Sequence, residues 1–571
     1  MMSQQEEISP SKPQRDNFVE SIHADEAGKI PTAIHVDHVS KQDQALQLIE
    51  DAGYSTTLTP ENNKRVLRRI DLRLLPILLS IYFLQQLDKS TLAYASVFGL
   101  VEKAHLHGDM YSWLGSVVYL AQLVAQPLVS YLLVKVPMGK FMAVSVLLWG
   151  ISLSCMAAAN NFAGLLVCRL FLGFFEAGIA PAFIAVTQMW YRRLEQPVRL
   201  GSWYAMNGVV NMVRSGGPPV VVSAPLFICR MLKLSLQLGS LITYGLGHID
   251  SPVFEPYQII FLFFGLITIG VALAVLLFMP DSPTTAKFLN EEDKLVAIER
   301  LRMNQQGIES HEWKWDHVKE ACLDLKSWLW FALLMAISIP SGGISTFGPL
   351  IVKSFGFNPL NTILLNVPFG AVQLIATMGG AWLATHWKMK GPVLTLLCLP
   401  PIAGCVMLLR ITHDASHRGP LLVGYYLISV YPGITPLIYS WSAANTGGET
   451  KKKVTTGILI VGQCVGNVIG PTLYTTEEAP LYHRGLISNL ILFIVLFCLI
   501  LLNMAYLSIL NKKHEKQRVA AGKEAKVVDH SMNKVTTAQT DKADAPVQLA
   551  TQDNAFKDLT DLANEDFVYV Y

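Results

Sequence analysis

Long apolar stretches separated by short polar connections fill the chain between residues 74 and 510. A helix needs about 20 apolar residues to cross the hydrocarbon core of a bilayer, so each stretch of that length predicts one transmembrane helix. Such stretches occupy residues 74–98, 111–134, 141–159, 163–188, 258–279, 327–351, 362–385, 392–410, 420–440, 454–474 and 486–510. The pattern therefore indicates an all-α membrane protein.

One further apolar stretch is interrupted. Residues 200–212 (LGSWYAMNGVVNM) and 239–249 (GSLITYGLGHI) each look like half of a membrane helix, and joined directly they make one. The insert between them, residues 213–238, contains Gly-Gly-Pro-Pro and three cationic residues, which disfavour a membrane helix. One explanation is a functional re-entrant loop. The other explanation, which we favour, is a translated unspliced intron. The insert starts with Val, whose codons begin with GT, and it nearly ends with Gln237, which the codon CAG encodes.

Basic residues are concentrated in every second connection, and such connections normally face the cytosol. Both polar ends of the chain lie on this same side, which requires an even number of spans. Counting the interrupted stretch as one span gives twelve, divided six and six by a polar loop at residues 281–326. The basic residues of these connections include Lys135, Lys140, Arg192, Arg193, Arg199, Lys388, Lys390, Lys451, Lys452 and Lys453.

This arrangement predicts two pseudo-symmetric six-helix bundles, an architecture typical of secondary transporters. The first bundle would occupy residues 65–280, the cytosolic central loop 281–326 and the second bundle 327–511. The polar ends, residues 1–64 and 512–571, are expected to be disordered cytosolic tails, because such compositions do not bury a core.

Composition supports the membrane class, since 51% of the 571 residues are hydrophobic and 15% are charged, against roughly 25% charged in soluble domains. The sequence contains no nucleophile–base set, no phosphate-binding Gly-x-x-x-x-Gly-Lys-Ser/Thr loop and no Cys-x-x-Cys pair. We therefore expect a protein that is not an enzyme and that uses no cofactor, metal ion or nucleic acid.

Two charged residues interrupt the first span. Asp88 and Lys89 lie more than half-way along it, about one helical turn after Gln85. A charge at mid-membrane costs about 2.5–3.5 kcal/mol on insertion scales, so such residues are functional candidates. Asp88 is a candidate proton carrier facing a central cavity, with Lys89 and Gln85 as candidate substrate contacts. The alternative is a local charge pair that fixes helix packing.

The fourth span also carries two opposite charges, in the stretch CRLFLGFFEAG (168–178). Arg169 and Glu176 are seven residues apart, so they share one helix face and lie about 10 Å apart along the axis. Because this is too far for a simple ion pair, each needs another partner, such as a substrate, water or a different helix. Arg presents a planar fork suited to a carboxylate, and a desolvated Glu can exchange protons near neutral pH. A buried structural network is the alternative.

The second bundle offers neutral polar residues within its apolar spans. Individually, such a residue forms a helix–helix hydrogen bond more often than a substrate contact, but together they can form the second wall of a cavity. The candidate substrate-binding residues of this kind are Tyr425, Gln463 and Asn467, together with Asn207 in the interrupted fifth stretch.

The distribution of these groups suggests a mechanism in which the first bundle supplies charge and the second supplies shape. A small anionic substrate would meet Arg169, helped by Lys89. Protons on Asp88 or Glu176 would offset its charge during the crossing. The proton gradient would then drive uptake, because moving net charge against the membrane potential is costly.

Several stretches resemble the allantoate permease family of fungal transporters, which belongs to the anion:cation symporters of the major facilitator superfamily. The resemblance covers roughly residues 65–510 and is specific for the family rather than for a substrate. It departs at residues 132–142 (LLVKVPMGKFM), which lack the superfamily's usual Asp, and at the insert, since relatives run straight through helix 5. The matching stretches are LDKSTLAYASVFGL (87–100), YSWLGSVVYL (111–120), RLFLGFFEAGIAPAF (169–183), MWYRR (189–193), PDSP (280–283) and GNVIGPTLY (466–474).

The resemblance implies the major facilitator fold with twelve transmembrane helices and symport of a small organic anion with protons. Family members carry allantoate, ureidosuccinate, nicotinate, pantothenate, biotin or related carboxylates. By the matched motifs, Asp88 and Glu176 resemble the family's proton-coupling acids. Lys89 and Arg169 resemble its anion-binding cations. We expect a monomer in the plasma membrane, with the bilayer, protons and the substrate as its partners.

Two other functions stay open. A transporter-like nutrient sensor is suggested by the 60-residue polar tail after residue 511, and uptake that survives tail deletion without a signalling defect would count against it. If the insert is translated, the product is instead misfolded and inactive.

Overall fold

The computed structural model describes residues 58–97, 100–107, 110–214, 255–302, 304, 312–355, 357, 365–412, 415–474, 478, 481–520, 522–525 and 558–571. Within these residues every regular element is a helix. This suits a chain in lipid, because a helix satisfies its backbone hydrogen bonds within one segment. The prediction of an all-α membrane protein is thereby confirmed.

The helices follow the predicted apolar stretches, with extensions beyond them and short breaks. The first half contains α1 Pro60–Val97, α2 Leu100–Lys103, α3 Met110–Lys135, α4 Met138–Cys155, α5 Phe162–Glu176, α6 Ile179–Trp190, α7 Gln196–Tyr204, α8 Met206–Arg214 and α9 Pro256–Phe278. The central loop contains α10 Glu291–Arg302 and α11 Trp315–Leu323. The second half contains α12 Leu325–Ser354, α13 Asn366–Trp387, α14 Gly391–Arg410, α15 Arg418–Ile428, α16 Ile434–Ala444, α17 Glu449–Thr472 and α18 His483–Ala520.

Eleven helical segments among the described residues are long and apolar enough to cross a membrane. Each of them corresponds to one of the uninterrupted apolar stretches in the sequence. The interrupted fifth span begins as α7 and α8, and the residues that follow, 215–254, lie outside the described residues. The explanation of the 213–238 insert therefore stays a prediction.

Two of the spans are divided by a short break. The fourth changes from α5 to α6 at Ala177 and Gly178, where a Cβ on Gly178 would lie 2.5 Å from the ring of Phe141. The tenth changes from α15 to α16 through a short 3-10 turn, whose Pro432 lacks the amide hydrogen of a continuous helix. The first break leaves Glu176 as the last residue of α5.

Ion pairs hold the central loop to the first half on the side predicted to be cytosolic. Arg65 and Arg69 of α1 both donate to the buried carboxylate of Asp293 on α10, Arg65 at 2.9 Å. Arg300 of the same helix donates to the carboxylate of Glu195 at 2.8 Å. Burial raises the pKa of Glu195, but the Arg300 guanidinium outweighs this effect, and the net pKa lies below its ordinary value. Helix α10 is thus fixed to α1 and to the connection before α7.

The two halves meet most extensively along two helix pairs, α3 with α17 and α8 with α13, and α6 and α7 add further contacts with the second half. At the second pair a Cβ on Gly208 would lie 2.6 Å from the carbonyl oxygen of Gly370, and one on Gly370 would lie 2.7 Å from that of Gly208. Asn211 Nδ2 donates to Gln373 Oε1 across the same pair at 2.7 Å. Small residues at such crossings let backbones approach closely, which helices in lipid need because no hydrophobic effect drives them together.

The structure differs from the expectation of disordered tails where it describes them. Helix α1 already begins at Pro60, and α18 continues to Ala520, while residues 1–57 and 526–557 lie outside the described residues. Residues 558–571 pack against the ends of second-half helices on the side predicted to be cytosolic, with Phe567 0% and Tyr569 1% exposed. The tail is polar on average, but this short segment carries aromatic side chains that find buried positions.

Gly370→Ala is expected to lower the stability of the protein, because its methyl group would meet backbone atoms of α8. Overpacking of this kind costs about 1–3 kcal/mol. Alanine in a helix regains at most about 1 kcal/mol over glycine. The measurement is the apparent melting temperature of the purified protein in detergent.

The matched control is Gly379→Ala in the same helix, where a Cβ meets nothing within 4 Å. This control is expected to be neutral or stabilising. Equal destabilisation by the two substitutions would contradict the close crossing of α8 and α13.

Candidate substrate cavity

A cavity of about 500 Å³, counted with its mouth, lies between the two halves. Two helices face it with the same spacing of i, i+3, i+4 and i+7, which places four side chains on one helix face. These faces consist of Tyr82, Gln85, Gln86 and Lys89 on α1, and of Ile460, Gln463, Cys464 and Asn467 on α17.

Aromatic and polar side chains complete the wall. The remaining lining residues are Tyr119 and Gln122 of α3, Glu176, Ala177 and Ala180 at the α5–α6 break, Trp203 and Tyr204 of α7, and Tyr439 of α16. The charged side chains of this wall, Lys89 and Glu176, both come from the first half. The cavity therefore has one charged side and one neutral polar side, the division expected from the sequence.

An ion pair between α1 and the end of α5 forms the charged side. Glu176 Oε1 lies 3.6 Å from Lys89 Nζ and accepts a hydrogen bond from Gln85 Nε2 at 2.8 Å. The Glu176 side chain is 2% exposed, whereas that of Lys89 is 34% exposed. Lys89 is thus the more accessible charge of the pair, and the more deeply buried Glu176 compensates its positive charge.

Asp88 lies next to this pair but is not among the described residues that line the cavity. It is 3% exposed, and within the described residues neither carboxyl oxygen has a hydrogen bond of ordinary geometry. Its carboxylate interacts electrostatically with Glu176 and Arg169. Asp88 is therefore a buried acid one layer behind the wall.

Arg169 also lies behind the wall rather than in it. The side chain is 4% exposed, and its Nε and Nη2 atoms have no hydrogen bond of ordinary geometry to the described part of the chain. Its guanidinium interacts electrostatically with Tyr111, Glu176 and Asp88. Of the two charges on one face of the fourth span, Glu176 reaches the cavity in this conformation and Arg169 does not, so the role of Arg169 stays a prediction.

The predicted neutral residues divide into two groups. Gln463 and Asn467 line the cavity, and Gln463 Oε1 accepts a hydrogen bond from Tyr439 at 2.6 Å. Asn207 donates to the hydroxyl of Tyr82 at 3.0 Å, so it supports a lining residue from behind.

Tyr425 lies away from the cavity, inside the second half. Its hydroxyl donates to Asn366 Oδ1 at 3.1 Å, and its ring stacks on Phe369 with centroids 4.7 Å apart. These contacts are those of a helix–helix packing residue, which is the alternative that the sequence left open.

Sequence reasoning missed the tyrosines of the wall. Tyr82, Tyr119, Tyr204 and Tyr439 each sit in an apolar stretch, where an aromatic ring is read as core. A usable signal was present for Tyr82, since it precedes Gln85 and Lys89 by three and seven residues on one face of α1. The other three need knowledge of which helices meet.

Comparison with known proteins agrees with this architecture. The family model described as Major Facilitator Superfamily matches residues 78–225 and 231–471. An uncharacterized transporter of Schizosaccharomyces pombe is 32% identical over 92% of this chain and 93% of its own length. The allantoate permease of Saccharomyces cerevisiae is 29% identical over 93% of this chain and 90% of its own length. A thiamine pathway transporter of the same yeast is 31% identical over 90% and 87%.

Solved structures share the fold at low sequence identity. The fucose:proton symporter of E. coli aligns with a TM-score of 0.54 and 13% identity over 75% of this chain and 98% of its own. A proton:xylose symporter aligns with a TM-score of 0.55 and 12% identity over 78% and 96%. At these identities the likeness concerns the fold alone.

The predicted resemblance to fungal transporters that include allantoate permease is confirmed by these relatives. The relatives are transporters and permeases rather than enzymes, and the many apolar helices make this a multi-pass membrane protein. With a family model that matches most of its length, the chain belongs to the Major Facilitator Superfamily.

Proposed function

We propose that the protein is a secondary active transporter that carries a small organic anion together with protons by alternating access. The observation that supports this most directly is the Lys89–Glu176 pair, which places one accessible cation and one buried acid on the same cavity wall. A cation selects an anionic ligand, and an acid within 4 Å of that cation links ligand binding to protonation.

The coupling follows from the charge of the pair. In the empty cavity the Glu176 carboxylate compensates Lys89, so the pair is neutral overall. An anion that bound Lys89 beside an ionised Glu176 would add an uncompensated negative charge in a poorly hydrated site, which is unfavourable. Protonation of Glu176 removes that charge and frees Lys89 for the substrate. The empty site and the site loaded with anion and proton therefore carry the same net charge.

In the proposed mechanism Asp88 and Arg169, which lie behind the cavity wall, influence the Lys89–Glu176 pair electrostatically. Asp88 is a second candidate proton carrier, since a buried acid beside Arg169 and Glu176 can take up a proton as the pair rearranges. Arg169 stabilises the negative charges of Asp88 and Glu176 in the conformation described here. It is a candidate anion contact in other conformations of the cycle.

The neutral side of the cavity suits a ligand with amide or hydroxyl groups. Gln463, Asn467 and Tyr439 offer donors and acceptors opposite Lys89. Ureides and small carboxylates such as allantoate, ureidosuccinate, nicotinate or pantothenate match this combination of one cation and several neutral polar groups. The relative named allantoate permease supports this class of substrate.

We also propose that the protein acts as a monomer in the plasma membrane with both termini in the cytosol. The start of α1 and residues 558–571 lie on the side that carries Arg193 and Lys451, the side predicted to be cytosolic.

Uptake of a labelled carboxylate or ureide is expected to be several-fold faster at acidic than at neutral external pH, because protonation of Glu176 frees Lys89. The measurement is a panel of labelled substrates at two pH values, in cells that express a version without residues 213–238. Uptake at the same rate at both pH values would contradict proton coupling.

Glu176→Gln is expected to abolish the pH dependence and the accumulation of substrate, while exchange of labelled for unlabelled substrate survives. Glutamine is neutral at every pH, so Lys89 stays available but no proton is carried. The matched control is Glu292→Gln, an exposed glutamate on α10, which should leave both properties intact. Retained accumulation in the Glu176→Gln variant would contradict its role as proton carrier.

Lys89→Gln is expected to raise KM roughly 10- to 150-fold, the range for loss of a hydrogen bond to a charged group. Lys89→Arg should retain much of the affinity because the positive charge remains. Lys103→Gln, at an exposed lysine after α1, is the control and should not change KM. An unchanged KM in Lys89→Gln, with a raised KM in Arg169→Gln, would instead place the anion at Arg169.

A further inference from the structure

Residues 558–571 are anchored to the second half by one buried acid. Asp561 is fully buried and forms ion pairs with Lys326 of α12 and with Lys451 of α17, the latter at 2.9 Å. Burial raises the pKa of Asp561, but the two ammonium groups outweigh this effect and hold the pKa well below its ordinary value. The carboxylate is therefore ionised at cytosolic pH, and the two buried lysines have a fixed partner in it.

Main-chain hydrogen bonds at the aromatic end of the segment set its register on the second half. Asn445 donates to the carbonyl oxygen of Val570 at 2.9 Å and accepts from its amide at 2.7 Å. Trp441 Nε1 donates to the same carbonyl at 2.8 Å, and the amide of Tyr569 donates to Asn511 Oδ1 at 2.9 Å. The segment is thus held by hydrogen bonds of its backbone as well as by the ion pairs of Asp561.

The same segment contacts the first half through Arg193, in the connection between α6 and α7. Arg193 Nη1 donates to the carbonyl oxygen of Val568 at 3.2 Å, and its guanidinium lies 4.5 Å from the ring centroid of Phe567. Arg193 is 2% exposed and Phe567 is 0% exposed, and cation–π attraction is stronger when it is shielded from water in this way. Residues 558–571 therefore join the two halves.

The halves also touch each other directly on this side. Gln188 Nε2 of α6 donates to the carbonyl oxygen of Ala443 at 3.1 Å, and Ser130 Oγ of α3 donates to that of Lys453 at 3.4 Å. Alternating access opens the cavity to the cytosol by rocking one half against the other, which separates these contacts. The contact of Arg193 with residues 558–571 joins the same two halves, so it has to break when the cavity opens to the cytosol.

We propose that residues 558–571 are an intramolecular latch that stabilises the cytosol-closed conformation. Asp561 and Val570 anchor the latch to the second half, and Phe567 and Val568 hold the first half through Arg193. The strength of the Arg193 contact then sets the fraction of molecules that open to the cytosol. The proposal needs the two halves to rock, but it depends on no particular substrate and on no proton.

A disulfide between positions 130 and 457 can report closure of the cytosolic side. The Cβ of Ser130 lies 3.8 Å from the place of a Cβ on residue 457, and disulfides need roughly 3.5–4.5 Å between Cβ atoms. The full chain carrying Ser130→Cys and Gly457→Cys is reconstituted and mildly oxidised. The rate at which two maleimide-reactive thiols disappear is measured against the chain without the pair.

Phe567→Ala in this background is expected to slow cross-linking roughly 2- to 30-fold, the range for loss of one cation–π contact. A stop codon after Lys557 should slow it at least as much. The matched control is Asp566→Asn, whose partner Lys523 is an exposed residue of the second half, and it should leave the rate unchanged. Cross-linking of monodisperse Phe567→Ala protein at the control rate would overturn the latch.

A synthetic peptide of residues 558–571 provides an independent test on the truncated chain. The native peptide is expected to restore fast cross-linking, and the same peptide with Asp561→Asn is not. No rescue by the native peptide, or equal rescue by both, would overturn the docking argument. If the truncated chain does not fold, Phe567→Ala decides, because it keeps the Asp561 anchor. If the unaltered chain takes up no tested substrate while Phe567→Ala still slows cross-linking, the result counts against the proposed transport function and leaves the latch intact.

Discussion

A charged side chain inside a membrane protein needs a partner, and this constraint organises the centre of the molecule. Lys89 is compensated by Glu176, and Glu176 is in turn fixed by a hydrogen bond from Gln85. The three residues come from two helices, so the relative position of α1 and α5 is tied to the electrostatics of the cavity. In the proposed cycle, an anion that binds Lys89 replaces the interaction of Lys89 with Glu176. In that proposal the same three residues both bind the anion and adjust the net charge of the site.

Much of the fold follows from the length of the apolar stretches, because lipid leaves a long apolar segment few alternatives to a helix. The cavity faces also follow in part from sequence, since Gln85 and Lys89, like Gln463 and Asn467, are four residues apart and share a helix face. The role of Tyr425 does not follow, because its environment is set by Asn366 of another helix. Pattern along one helix predicts which side chains share a face, but not which face meets the cavity.

The fourth span is a second case in which the pattern along one helix does not predict which side chains reach the cavity. A spacing of seven residues correctly places two side chains on one face, but it also places them about 10 Å apart along the axis. Glu176, the last residue of α5, lines the cavity wall, whereas Arg169 lies behind it. Likewise Lys451 looks like a solvent-facing residue of a cytosolic connection, yet it is fully buried against Asp561, 110 residues later in the sequence. The average composition of a segment does not predict contacts between residues so far apart in the sequence.

The contact of Gly208 with Gly370 has a mechanical consequence. At these two glycines the backbones of the helices touch with no side chain of either glycine between them, so a change in their crossing angle requires less repacking there. In the proposed alternating-access cycle the α8–α13 crossing would therefore serve as a pivot between the halves, with the hydrogen bond from Asn211 to Gln373 joining the two helices there.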